Sequence, residues 1–214
     1  MRERPWAAPH KALRHVLGLF QAAAGATDYG QPDEVARLKR LGGELFELLY
    51  SHARSENEHL LVALDVRAPG ASQHDRAEHV DLEATLHELE ARLSRLDGTQ
   101  GEEEGYQLYL AFSDFHARYL AHILHEERVT QPALTAVYSD DELRAQREQT
   151  MQAVDFRIIL LFLKYAVPAQ PDTENVPLLT SLKAGAPVGA FEAVVGALRE
   201  TMPPARLEAL LARL

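Results

Sequence analysis

The chain has 214 residues, 46% of them hydrophobic and 25% charged, which suits one well-buried core in an ordinary globular protein. Its net charge of −10 comes without a basic stripe, so the composition excludes nucleic acid as a partner. With no cysteine there is no disulfide framework, no thiolate metal site and no cysteine nucleophile. MRERPWAAPH lacks the apolar run of a signal peptide, and no stretch reaches 18 apolar residues. The expectation is a cytoplasmic protein with no membrane partner.

Taken in order, the chain is helical in period, with almost no β-type alternation. A first helix is expected over about Pro9 to Gly25, with His10 one turn before the apolar face of Leu13, Val16, Leu17 and Phe20. After the breaker-rich TDYGQPD, a long second helix begins near Asp33. It carries Leu38, Leu41, Leu45 and Leu49, then His52, Glu56, His59 and Ala63. Gly42 and Gly43 weaken it locally and allow a close helix contact. Past RAPGAS, Ser72 with Asp75 reads as the N-cap of a third helix bearing His79, Leu82, Glu83, Leu86, Leu89, Leu93 and Leu96.

The fourth helix dominates the reading. In YQLYLAFSDFHARYLAHILHEERVTQPA, Leu108, Phe112, Phe115, Tyr119, Val129 and Ala133 recur at the spacing of one helical face. The gap in that stripe is filled by His122 and Glu126. Each would cost roughly 2–7 kcal/mol if buried without a partner, yet at i, i+4 both can reach one ion. Four long helices with short connections predict an all-α, antiparallel up-down-up-down bundle over residues 1–137. A C-terminal helical extension follows over 138–214. Ser139 and Glu142 open its first helix as a capping box, which runs to Val167 and is stopped by Pro168. Prolines then divide the tail into three short helices, which offer a surface for a protein partner or for a homo-oligomer.

Four of the ten histidines have glutamate four residues on: His52–Glu56, His74–Glu78, His79–Glu83 and His122–Glu126. Three of these pairs lie on or beside apolar stripes; His74 falls on the solvent side. Imidazole and carboxylate without sulfur suit iron, manganese or zinc rather than copper(I) or calcium. Glutamates on separate helices are a means of bridging two metals in a bundle, and the donor supply exceeds what one ion needs. His59, one turn past Glu56, reads as a group that orients a carboxylate. His15, His87, His116 and His125 read as surface residues, and Tyr119 as core.

PHKALR, HARSEN, EHVDLE and HILHEE together resemble the hemerythrin-like domain, the H…HxxxE…H…HxxxE pattern of a non-haem di-iron bundle, over about residues 7 to 137. The resemblance implies two iron ions, with His10, His52, His79 and His122 as terminal ligands and Glu56 and Glu126 as bridges. Glu83 stands where oxygen carriers have a second histidine in the third helix and is taken as a further ligand. Asn57 replaces an acidic residue often found after the second-helix glutamate, whereas Glu127 is present in the fourth helix. A small diatomic ligand, dioxygen or nitric oxide, is the implied partner, or the centre reports iron itself, and an oxygen- or peroxide-dependent oxidoreductase is the alternative. Related iron–sulfur repair proteins carry a cysteine-bearing module that this sequence lacks.

Overall fold

The computed structural model describes residues 2–214, with the side chains of all but Gln152 and Ala153; Met1, the first residue of the expected bundle segment, lies outside it. It is all-α, with no strand among the described residues. α1 (Ala7–Ala26), α2 (Pro32–Ser55), α3 (Leu61–Arg67), α4 (Gln73–Arg95), α5 (Glu102–His125) and α6 (Gln131–Val137) come first. α1, α2, α4 and α5 pack in a ring, each against two of the others, as the bundle requires. Their inward stripes interlock: Leu13, Leu17 and Phe20 meet Leu38, Leu45 and Leu49, with Leu86, Leu89 and Leu93 and then Phe112 and Phe115 closing the core. Gly42 serves close approach, because a Cβ there would stand 2.2 Å from Leu93 Cδ2 and 3.0 Å from Phe20 Cε2.

Two π turns interrupt the long helices, over Glu56–Leu60 between α2 and α3 and over Glu126–Thr130 between α5 and α6. The N–H of Leu61 donates to the carbonyl of Glu56, and that of Gln131 to the carbonyl of Glu126, five residues back in both cases. A π turn takes one residue more than the α pattern and so rotates everything after it. This corrects the expected stripe beyond Glu126. Val129 is 53% exposed, while Thr130 and Leu134 are 2% and 0% exposed. The same slip turns Leu61 and Leu64 inward in place of His59 and Ala63, which are only partly buried. Leu64 and Leu134 join Trp6, Tyr138 and Leu143 in a small cluster beyond the two glutamates.

Two further expectations change. Ser72 does not cap α4 through its side chain; its hydroxyl donates to Asp65 instead, and Asp75 turns into the protein. The single helix expected up to Val167 is two, α7 (Asp140–Ala153) and α8 (Phe156–Ala169), since the Asp155 side chain accepts from the N–H of Arg157 and starts a new helix. Pro168 lies in the last turn of α8, not after it. The Ser139–Glu142 capping box forms as expected.

α9 (Asp172–Gly185), α10 (Ala190–Thr201) and α11 (Pro204–Leu211) complete the chain. α8 is amphipathic in two directions. Tyr165 and Ala166 enter the bundle core, while Leu163 and Val167 enter a separate cluster with Leu179, Val194, Leu198 and Leu207. Between the two faces, Lys164 Nζ lies 2.8 Å from both Glu44 of α2 and Glu200 of α10.

Candidate metal centre

The polar layer sits between the main apolar core and the cluster around Trp6. α1 places His10 one turn before Leu13, and the last turn of α2 places His52. α4 contributes His79, and the last turn of α5 contributes His122. Glu56 and Glu126 are the first residues of the two π turns. All six side chains are buried.

They fall into two overlapping groups, His10, His52, Glu56 and Glu126, and then Glu56, His79, His122 and Glu126. The two carboxylates belong to both. In the first group His10 Nε2 lies 3.2 Å from His52 Nε2 and 3.3 Å from Glu126 Oε2, and His52 Nε2 lies 3.1 Å from Glu56 Oε1. In the second, His79 Nε2 lies 3.3 Å from Glu56 Oε2 and 3.7 Å from Glu126 Oε1, and His122 Nε2 lies 3.5 Å from Glu126 Oε1. Each carboxylate thus turns one oxygen to each group. Two ligands about 2.1 Å from a common ion stand about 3.0 to 3.4 Å apart, so the 3.1, 3.2 and 3.3 Å spacings match a shared cation, and those of 3.5 and 3.7 Å lie slightly beyond it.

The hydrogen-bond inventory tests the same point. Glu56 Oε2, His79 Nε2, His122 Nε2 and both oxygens of Glu126 are buried without a hydrogen-bond partner among the described residues. Buried polar atoms are otherwise almost always paired, because an unpaired one costs about 1–3 kcal/mol. Five such atoms facing one another fit a donor set for cations.

The outward ring nitrogens are held separately. Nδ1–H of His10 donates to Glu127 Oε1 at 3.0 Å, that of His79 to Asn57 Oδ1 at 3.1 Å, and that of His122 to Glu78 Oε2 at 2.9 Å. An acceptor on Nδ1 fixes the proton there and leaves the Nε2 lone pair for the centre. Arg14 clamps Glu127 with contacts of 2.6 and 2.9 Å. The buried indole N–H of Trp6 donates to Glu56 Oε1. Asn57 and Glu127 each follow a shared glutamate directly in sequence, so one π turn delivers both a shared carboxylate and the group that orients a histidine from another helix.

The charges interlock in the metal-free chain. Burial alone disfavours the imidazolium of His10, but Glu126, Glu127 and Glu56 override it and push its pKa up to about 10. His79 is likewise raised to about 9, its burial outweighed by Glu126 and Glu56. Burial would raise the carboxyls of Glu56 and Glu126, yet the surrounding imidazoles hold both below the ordinary range. Glu127 falls to about 2, because His10 and Arg14 outweigh its partial burial.

Six of the seven expected ligands are therefore brought together. Glu83 is not: it lies exposed on α4, outside both groups, because the inward face of that helix runs through His79, Leu82 and Leu86. His59 also stays outside them, since the π turn rotates it away. Tyr119 is core, against Phe115 and His122. Trp6 and Glu78 are additions to the expected site, although Trp6 precedes His10 by one turn and Glu78 precedes His79 directly.

No curated protein and no solved structure matches the chain. The model of the hemerythrin HHE cation-binding domain matches residues 4–134, which hold all six clustered side chains and the three residues that orient the histidines. The chain belongs to the hemerythrin HHE cation-binding family.

Proposed function

We propose that this protein holds two non-haem iron ions and uses them to bind or sense a small diatomic molecule, dioxygen or nitric oxide. The observation that carries the reading is the sharing of Glu56 and Glu126 between two donor groups, each completed by its own pair of histidines. Iron in such a set supplies reversible one-electron chemistry and coordination positions that the protein does not fill. Manganese and zinc fit the same donors, and metal analysis decides among them. His10 and His52 would hold one ion, His79 and His122 the other, with Glu56 and Glu126 between them.

The rest of the work falls to this chain's own residues. Glu127, Asn57 and Glu78 keep three imidazoles aimed inward, and the Trp6 indole N–H holds one oxygen of Glu56 in place. Tyr119, buried beside His122, stays a neutral phenol, because burial and the charges of Glu56 and Glu126 push its pKa well up. In the alternative reading, an oxidoreductase, Glu83 or a bound water would manage protons; Glu83 is exposed and outside the polar layer, so that task would fall to a water. We read residues 138–214 as an extension that braces the metal-binding segment 1–137 through α8.

The test is elemental analysis of the full chain loaded with iron, followed by visible spectra of the reduced protein under argon, in air and with nitric oxide. Two irons per chain and a spectral change reversed by removing the gas are expected. One metal at saturation, or zinc displacing iron from cells replete in both, overturns the di-iron assignment. Steady consumption of oxygen or peroxide overturns the binding role in favour of an enzyme.

A further inference from the structure

A second group of donors stands outside the shared centre. His74 and Asp75 lie in the first turn of α4, and His125 is the last residue of α5, next to the π turn. One ligand atom from each lies within 4.8 Å of the others. The two imidazole rings stand 4.1 Å apart between centroids, tilted by 52°. Asp75 is 0% exposed. Its Oδ2 accepts from Thr130 Oγ1 at 2.6 Å, which fixes the carboxylate, while its Oδ1 has no hydrogen-bond partner among the described residues and lies 3.8 Å from His125 Nε2.

We propose that His74, Asp75 and His125 form an accessory site for a borderline divalent transition cation, of which Zn2+ is the type. Two imidazoles and one carboxylate are the donor set that such ions accept with a water in the remaining position, whereas Ca2+ and Mg2+ prefer all-oxygen sites. The buried, immobilised carboxylate is the fixed point. The two rings are the adjustable part, His125 half-buried and His74 exposed at the surface, so the site can close on an ion arriving from solvent. None of its three residues is among the six of the buried centre, although Asp75 also groups with Glu78 and His122. Glu78 lies between them, its Oε2 3.3 Å from His74 Nε2 and 2.9 Å from His122 Nδ1, so the accessory ion would sit one carboxylate away from a histidine of the centre.

The experiment is equilibrium dialysis of the chelator-stripped full chain against micromolar free Zn2+, read by elemental analysis, for the parent, His74→Ala/His125→Ala and His10→Ala/His52→Ala. The first double variant is expected to bind one Zn2+ fewer than the parent. The second is expected to lose metal at the centre while keeping the ion that depends on His74 and His125. Asp75→Asn, which retains an acceptor for Thr130, should lose the same single ion. Should the His74→Ala/His125→Ala chain melt early without metal, His74→Ala alone decides by the same count, since that side chain is exposed. Equal Zn2+ content in parent and variant overturns the site. If His10→Ala/His52→Ala binds as much metal as the parent, the reading of the buried centre fails and the accessory count still stands.

Discussion

The two halves of the polar layer have the same inner donors and different backing. His10 is supported by a charged carboxylate, Glu127, itself clamped by Arg14, and Trp6 closes that side. Across the shared glutamates, His79 leans on the neutral amide of Asn57, and His122 on Glu78, whose other neighbour is the exposed His74. A carboxylate behind an imidazole makes it a more basic ligand than an amide does. Each half thus has one histidine backed by a carboxylate, and His79 is the one whose backing an added charge would strengthen. Inner ligands alone would make the halves look equivalent; the groups behind them set the difference.

The largest effect should come from removing what the halves share. Glu126→Ala takes one oxygen from each group and leaves two like-charged ions less screened from each other; metal content should fall from two ions per chain to one or none. Retention of two would end the assignment of a bridge. Next come the groups behind the histidines. Glu127→Gln should weaken the ion on the His10 side by about 10- to 100-fold, as the loss of such partners does elsewhere. Asn57→Asp should strengthen the ion on the His79 side. Competition against a chelator of known affinity measures both, and equal responses of the two ions would erase the asymmetry.

A smaller and graded effect follows from protons. His10 and His79 titrate at about 10 and about 9 in the metal-free fold, against about 6.5 for unperturbed histidine. The folded state holds these protons more tightly, so the stability they contribute is complete below about pH 6.5 and lost as pH rises through 9 to 10. The metal-free chain should therefore melt lower at pH 10 than at pH 7. Metal must displace the same protons, so titration calorimetry at pH 8 should show proton release that varies with the buffer. No release would mean that the histidines are already neutral. The smallest effect is reserved for Glu83→Ala, which should leave metal content unchanged and stability within about 0.5 kcal/mol, as for an exposed site. A lost ion there would restore Glu83 to the ligand set.

The local period of the chain by itself determined the helices and most of the donors. His52 with Glu56 and His122 with Glu126 were legible because four residues is nearly one turn, and because each pair breaks an apolar stripe that would otherwise be continuous. Only the tertiary structure decided the rest. The π turns at Glu56 and Glu126 leave no mark in an i, i+4 pattern. They take one residue more than the α pattern, and they turn Thr130 and Leu134 inward in place of Val129 and Ala133. Glu83 and Glu126 each follow a histidine at the same spacing. One faces water and the other the centre, because α4 fills its inward face with Leu82 and Leu86 while the stripe of α5 runs straight through Glu126. Asp75 had the position of a capping residue, yet a contact with Thr130, 55 residues away, draws it inside. Spacing along one helix is a local property; which side of that helix meets its neighbours is settled only when the neighbours are in place.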